Sequence, residues 1–326
     1  MATDRTVADG RRPQGKVQQA LTAAHLYYMQ DLTMEAIARE LHTSRSSVSR
    51  LLSHARSTGL VDIQIHSPAE TAGRLTAVLR ERYDVTVHLV PMPDHTSEVD
   101  RLERVAMSAG RLLGRFLDSN AVLGVAWGST VSAVSRHLVP KPLRGAEVVQ
   151  LNGAGNTRTT GIPYASELLR RFGAAYGAHV QQFPVPAFFD DPETKRALWR
   201  ERSMRRVLEV QERMQVALFS VGSPLSEVAS HVHIGGYLEP EDYRLLERDR
   251  VVGDVATVFY REDGTSDGIE LNERASGPDL AQLRRTPRRV CVVAGVSKLP
   301  GLRGALAAGL ITDLVVDEPL ARALLA

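Results

Sequence analysis

The chain has 326 residues, of which 43% are apolar, 24% charged and 5% aromatic, with a formal net charge of +2. This is globular composition at a length too great for one small domain, so two or more domains with a sizeable core are expected. No run of about 18 uncharged apolar residues is available to span a membrane. Residues 1–15 mix Arg5, Arg11 and Arg12 with Asp4 and Asp9 and carry no apolar export signal. A single cysteine, Cys291, excludes a disulfide framework and a multi-cysteine metal centre. A cytoplasmic protein without membrane attachment, metal or cofactor is expected. Residues 1–66 hold eight Lys and Arg against six Asp and Glu, and the remainder balances at 32 against 32. The basic excess sits in the first fifth but is too small to establish a nucleic-acid partner.

Residues 1–15, with Gly10, Pro13 and Gly15, read as a flexible arm. From Lys16 the apolar period is helical, and Val17, Leu21, Ala24 and Tyr28 predict one amphipathic helix with that face inward. Asp31-Leu32-Thr33 interrupts it, and Thr33 suits the N-cap of a second helix over 34–41 with Met34, Ile37, Ala38 and Leu41 inward. After the turn His42-Thr43, Ser44 caps a third helix that buries Val48, Leu51, Leu52 and Ala55 and ends at Gly59. Residues 60–65 alternate like a short strand, and Ser67-Pro68 closes the module.

Helix, turn, helix and strand in this order predict a winged helix-turn-helix DNA-binding domain over 16–66. With the stripe of the third helix inward, Arg45, Ser46, Ser49 and Arg50 face outward. Small serines let that helix sit deep in the major groove, where Arg45 can reach guanine edges. Thr43 and Ser44 at the helix start suit phosphate contact, and Arg50 and Arg56 suit positioning on the DNA backbone. The alternative is a docking or dimerisation module whose serines are only solvated.

Beyond residue 84, short β-rich runs alternate with helical stretches: 85–90, 121–127, 148–151, 180–184, 216–221, 255–260, 290–294 and 314–316. Many are apolar on both faces, as central strands of a helix-covered parallel sheet are. A doubly wound, mostly parallel α/β domain over 67–326 is expected. Gly128-Ser129-Thr130 follows one strand and opens a helix, a natural phosphate or sugar-hydroxyl cradle, although an ordinary serine cap reads the same. Asn152-Gly153-Ala154-Gly155-Asn156 follows the next strand, where open α/β sheets bind ligands, and lacks the third glycine of a dinucleotide fingerprint.

The chain has 36 Arg but only four Lys, so Lys298, after a strand and Gly295, stands out as a compact charge. Its alternatives are an exposed surface lysine or an internal pair with Asp254. Asp254, at the start of the run 255–260, accepts sugar hydroxyls or caps a turn. His231 and His233 share one face of an extended segment without a third metal ligand. Cys291 reads as an inert core thiol and Asp191-Pro192 as a helix start. No G-x-S-x-G elbow anchors a hydrolase triad.

Taken together, Thr33 to Ala38, Ser44 to Leu52 and Ala55 to Val61 resemble the DNA-binding head of SorC-type bacterial transcriptional regulators. Gly124 to Thr130, Val252-Gly253-Asp254, Asp263-Gly264, Asn272-Glu273-Arg274 and Ala294 to Lys298 resemble their sugar-binding domain, as does Ala305 to Leu310 with Thr312-Asp313. The likeness extends over residues 17–325. It implies an effector domain related in fold to sugar-phosphate isomerases and glucosamine-phosphate deaminases but used for sensing. It also implies homo-oligomers, dimers or tetramers, that bind operators of sugar-catabolic genes. Carried over, the ligand contacts fall on Gly128, Ser129, Thr130, the Asn152-Gly153 loop, Asp254 and Lys298. Where many relatives have two glycines, this chain has Gly295-Val296, and the wider side chain is expected to reshape that end of the pocket.

The expected function is transcriptional regulation, with operator affinity set by a sugar, and a phosphorylated one because the cradle offers more donors than acceptors. The rival is a sugar-phosphate isomerase or deaminase with an accessory domain, in which Asp254 or Asp313 serves as base. No acid/base pair is specified for that chemistry, so an enzyme is not expected.

Overall fold

A computed structural model describes residues 12–61, 68–93, 95–223 and 230–326. The chain divides into two compact units that meet between residues 67 and 68. The first holds α1 (Arg12–Tyr28), α2 (Met34–Glu40) and α3 (Arg45–Ser57). α2 and α3 bury the expected stripes, with Ile37, Ala38, Val48, Leu52 and Ala55 inward. The hydroxyl of Thr33 accepts the Ala36 N–H at 3.3 Å, and that of Ser44 accepts the Ser47 N–H at 3.2 Å, so both predicted caps form. His42 takes φ +49° in the tight turn between the two helices.

α1 departs from expectation. It starts at Arg12, ahead of the apolar period, and its buried face is Ala20, Ala23, Ala24 and Leu26. Val17 and Leu21 are 42% and 44% exposed. Helix spacing is set by the side chains at the contact, and small alanines let α1 lie close against its neighbours. The larger residues one step round the helix are left outside. Residues 1–11 of the expected arm and 62–65 of the expected strand lie outside the described residues. Leu60 and Val61 form a bend after the Thr58-Gly59 turn that ends α3, with the Val61 N–H on the Ala55 carbonyl at 3.1 Å.

The second unit is a sheet with helices on both faces. Its strands are β1 (Thr86–Val90), β2 (Val122–Val125), β3 (Glu147–Gln150), β4 (His179–Gln181), β5 (Val216–Phe219), β6 (Gly253–Val255), β7 (Val258–Tyr260), β8 (Arg288–Val293) and β9 (Asp313–Asp317). Seven form one sheet in the order β1-β9-β8-β5-β2-β3-β4, every neighbouring pair parallel. The alternation of side chains divides these apolar strands between two cores. Ala217, Phe219, Cys291 and Val293 face one layer with α4 (Pro68–Tyr83) and the helices 202–212 and 299–307. Val216, Leu218, Val290 and Val292 face the other, with α5 (Glu98–Leu113), α6 (Ser129–Ser135) and α7 (Ile162–Tyr176).

The run 255–260 is not one strand. Ala256 and Thr257 take φ +50° and +68°, and β6 and β7 fold back on each other as an antiparallel hairpin outside the main sheet. The strand expected over 180–184 is shorter and ends at Gln181. Residues 231–234 form a helical turn instead of an extended segment. The α/β architecture after a helical head is the one the sequence predicts. Among the described residues, no helix is long and apolar enough to cross a membrane.

Candidate functional site

In the first unit, Thr43, Ser44, Arg45, Ser46, Ser49, Arg50 and Arg56 are all exposed. Packing of Val48, Leu52 and Ala55 leaves α3 no other way to turn. Ser44 is engaged as the cap and also contacts the hydroxyls of Ser46 and Ser47 at 2.8 and 3.0 Å. The Arg45 guanidinium lies 2.7 Å from the Glu35 carboxylate, with the two side chains 65% and 59% exposed. An ion pair this open contributes little, so Glu35 does not lock Arg45 in place. Arg50 and Arg56 lie along the helix, the first donating weakly to the Ser46 carbonyl at 3.4 Å.

In the second unit, the chain winds outward from β2 through β3 to β4 in one direction and from β5 through β8 to β9 in the other. The crevice between the carboxyl ends of β2 and β5 is therefore the switch point at which open α/β sheets bind ligands. A cavity of about 40 Å³ lies there, and Gly128, Ser129, Thr130, Asn152, Asp254 and Lys298 all line it. Gly153 does not. Its N–H donates to the Ser276 hydroxyl at 2.9 Å and its carbonyl accepts the Trp127 indole N–H at 2.7 Å, so it fixes the loop. Val296 is also absent from the lining and is 43% exposed, so it does not narrow the pocket as expected.

Among the described residues, three side-chain atoms of this cavity are buried without a hydrogen-bond partner: Asn152 Oδ1, Ser220 Oγ and Asp254 Oδ1. Unmet polar atoms are costly in a protein interior, and three around one small space define a place for a polar guest. The Thr257 N–H holds Asp254 Oδ2 at 3.2 Å and leaves Oδ1 free. Asp254 reaches this position because Gly222 opposite has no side chain; a Cβ there would lie 1.9 Å from Oδ1. The Lys298 ammonium donates to the Val221 carbonyl at 3.2 Å, and among the described residues it forms no ion pair, with Asp254 or any other carboxylate.

Burial pushes the Asp254 carboxyl up to about 6, partly offset by the Thr257 N–H and the Lys298 charge. Burial likewise holds the Lys298 ammonium below its ordinary value, against the pull of Cys291, Asp254 and Glu98. Both charges are kept at a cost, and an oppositely charged or hydroxyl-bearing guest would lower it for each.

Ser220, Gly222 and Thr257 belong to the cavity and were not singled out from the sequence. Asp313, the other candidate base, sits at the opposite ends of the strands and contacts His88, Arg288 and Thr312. Both ring nitrogens of His233 are buried without hydrogen-bond partners among the described residues, and burial pushes its pKa down to about 4. Cys291 is a fully buried core thiol pushed up to about 12. Asp191 caps its helix through the Glu193 and Thr194 N–H groups. Among the described residues no cluster of His, Cys, Asp and Glu could hold a metal ion.

Comparison with known proteins finds two families along the chain. Residues 67–326 match the family described as "Putative sugar-binding domain", and residues 16–74 match the MarR family. The deoxyribonucleoside regulator of Bacillus subtilis is 31% identical over 312 residues, covering 95% of this chain and 97% of the relative. The sorbitol operon regulator of Klebsiella pneumoniae is 26% identical, covering 93% of this chain and 96% of its own. A domain of a possible sugar-binding transcriptional regulator from Arthrobacter aurescens TC1 is 57% identical with a TM-score of 0.75, over 80% of this chain and all of that one. The full-length Klebsiella pneumoniae SorC structure shares the fold over 96% of this chain and all of its own, at a TM-score of 0.71 and 24% identity.

Proposed function

The chain belongs to the SorC-type family of sugar-binding transcriptional regulators and is a DNA-binding regulator, not an enzyme; from that premise we propose that a phosphorylated sugar or polyol in the β2–β5 crevice sets its operator affinity. The observation that carries the reading is a buried Lys298, without an ion pair among the described residues, in one cavity with Asn152 Oδ1 and Asp254 Oδ1, which find no hydrogen-bond partner among those residues. An ammonium suits a phosphate, and carboxylate and amide oxygens suit hydroxyl protons. At about 40 Å³ the cavity is smaller than a sugar, so loading requires the lining to move. A ligand-dependent change of shape is what a regulator needs.

In the head, Arg45 reads base edges with Ser46 and Ser49 beside it, while Thr43, Ser44, Arg50 and Arg56 hold the DNA backbone. One reading head on one half-site rarely gives operator-grade specificity, so the regulator acts as a dimer or tetramer on repeated half-sites in the cytoplasm.

The test selects an operator from random DNA with the full chain and then measures affinity for it in the presence of sugars, polyols and their phosphates. A change in operator affinity is expected with a phosphate ester and not with its parent alcohol. Equal responses to both remove the phosphate from the reading, and robust isomerase or deaminase turnover on the same panel removes the reading itself. Sedimentation of the operator complex as a monomer rules out the oligomer.

A further inference from the structure

We infer that Asp317 is a positioning residue for the effector: it holds the turn that carries Lys298, and Arg101 of α5 holds Asp317 in place. The inference rests on the phosphosugar reading and names what sets the strength of its key contact.

Lys298 sits in a short turn, Val296–Lys298, that joins β8 to the helix Leu299–Ala307. Its ammonium ends a flexible aliphatic stem, so a buried contact at one point in the crevice needs a fixed backbone beneath it. After the turn, the helix supplies that support. The Gly301 carbonyl accepts the Tyr260 hydroxyl at 3.0 Å, and a Cβ at Gly301 would lie 2.7 Å from Val221 Cγ1. Before the turn, the chain passes through Gly295 at φ +94°, a conformation that only glycine adopts freely. Here the support is a side chain. The Gly295 N–H donates to Asp317 Oδ2 at 2.6 Å.

Asp317 ends β9, the strand beside β8, and is fully buried. It also caps the helix Glu318–Ala323, where its Oδ1 accepts the Leu320 N–H at 2.9 Å. A cap uses one oxygen, and serine, threonine or asparagine serves as well. The second oxygen is what the cap does not explain, and Gly295 takes it. Nη1 of Arg101 lies 3.6 Å from Oδ1, and its Nη2 donates to the Thr96 carbonyl at 3.2 Å, so the guanidinium ties Asp317 to the start of α5. Among the described residues Asp317 forms no ion pair with Lys298, so it acts through the backbone of the turn. Glu98, in the first turn of α5, flanks the same glycine: a Cβ at Gly295 would lie 2.8 Å from its Oε2. The Glu98 charge also favours the Lys298 ammonium. A turn released from Asp317 lets that ammonium drift by about 1 Å, enough to loosen a contact with phosphate.

The experiment uses the full chain and the tightest binder among glucose 6-phosphate, fructose 6-phosphate and ribose 5-phosphate, with affinities from calorimetry. A double-mutant cycle compares the native chain, Asp317→Asn, Lys298→Met and the two together. Asparagine can still cap the helix with its one carbonyl oxygen but cannot also accept from Gly295. Asp317→Asn is expected to weaken binding about tenfold in the native chain, and less than about twofold in Lys298→Met, where no ammonium remains to be placed. Arg101→Met should weaken it about threefold, again only while Lys298 is present, and it decides the matter if Asp317→Asn does not fold. A merely structural role for Asp317 would lower the melting temperature and cost the same affinity in both backgrounds. Equal losses in the two backgrounds, or unchanged affinity in the native one, therefore overturn the inference. A Lys298→Met variant that binds as the native chain does, or a panel in which no phosphate ester binds, is a different result. It removes the phosphosugar reading, and the inference with it.

Discussion

The outer face of α3 and the crevice between β2 and β5 both suit phosphate, and they are built in opposite ways. On α3 every candidate contact is exposed, the cations are arginines, and the ion pair of Arg45 with Glu35 is open to solvent. In the crevice Lys298 is 6% exposed, Asp254 is 4% exposed, and Asn152 Oδ1, Ser220 Oγ and Asp254 Oδ1 lack hydrogen-bond partners among the described residues. A surface that slides over DNA gains from long, planar, always-charged side chains that cost little when unbound. A pocket that must report the arrival of one small molecule gains from charges that are held at a cost until it comes. The difference predicts that substitutions on α3 change binding and spare stability, whereas substitutions in the crevice change both.

The largest effect should come from Asp254, because its buried carboxyl is raised to about 6 from an ordinary 3.8. Between those values the folded chain holds a proton that the unfolded chain has lost, so this group's contribution to stability falls as pH rises through the window. Above it the ionised group costs up to roughly 3 kcal/mol. Asp254→Asn is therefore expected to melt higher than the native chain at pH 7.5, to lose that advantage near pH 4, and to lose effector binding. Melting curves at the two pH values decide it, and an advantage independent of pH would show that Asp254 is not a buried charge.

Gly222→Ala sharpens the same point by steric means. The added Cβ would lie 1.9 Å from Asp254 Oδ1, which should cost about 1–3 kcal/mol and lower the melting temperature by several degrees. Operator affinity without effector should be retained wherever the variant is folded. On the other side of the comparison, Arg45→Ala should cost roughly 1–3 kcal/mol on the selected operator and much less on random DNA, with melting unchanged. Equal losses on both DNAs would make Arg45 a backbone contact. The smallest effect is expected from Val17→Ser. This residue lies outside the core, so thermal stability should move by no more than about 0.5 kcal/mol. A larger loss would mean that the apolar period of α1 had been right after all.

The alternating apolar runs were legible because a strand buried on both faces has little freedom in composition, as Val216-Ala217-Leu218-Phe219 shows. The caps Thr33 and Ser44 were legible because few residue types serve there. Strand-end reasoning also leads to five of the six expected residues that share the small cavity, and Asp254, at the start of a run, is the sixth. What escaped had no local signature. Ser220 looks like any loop serine, and only the neighbouring strand ends make it part of a pocket. The run 255–260 reads as a single strand, not as part of a hairpin, because Ala256-Thr257 is an unusual pair for a turn that requires positive φ, where Asn-Gly is the familiar choice. In α1 the apolar period pointed to Val17 and Leu21, and close helix packing chose the alanines instead.

Lys298 is the test of the contrast between the two surfaces. Fluorescence anisotropy on the selected operator, with increasing phosphosugar, compares the native chain with Lys298→Met. Operator affinity without effector should match, because the substitution is far from α3 in sequence and adds no charge to the head. The effector concentration needed for half the response should rise about ten- to a hundredfold, as a lost charge-assisted contact of roughly 1.5–3 kcal/mol requires. A variant that responds at the same concentration as the native chain would contradict the assignment of the crevice as the phosphate site.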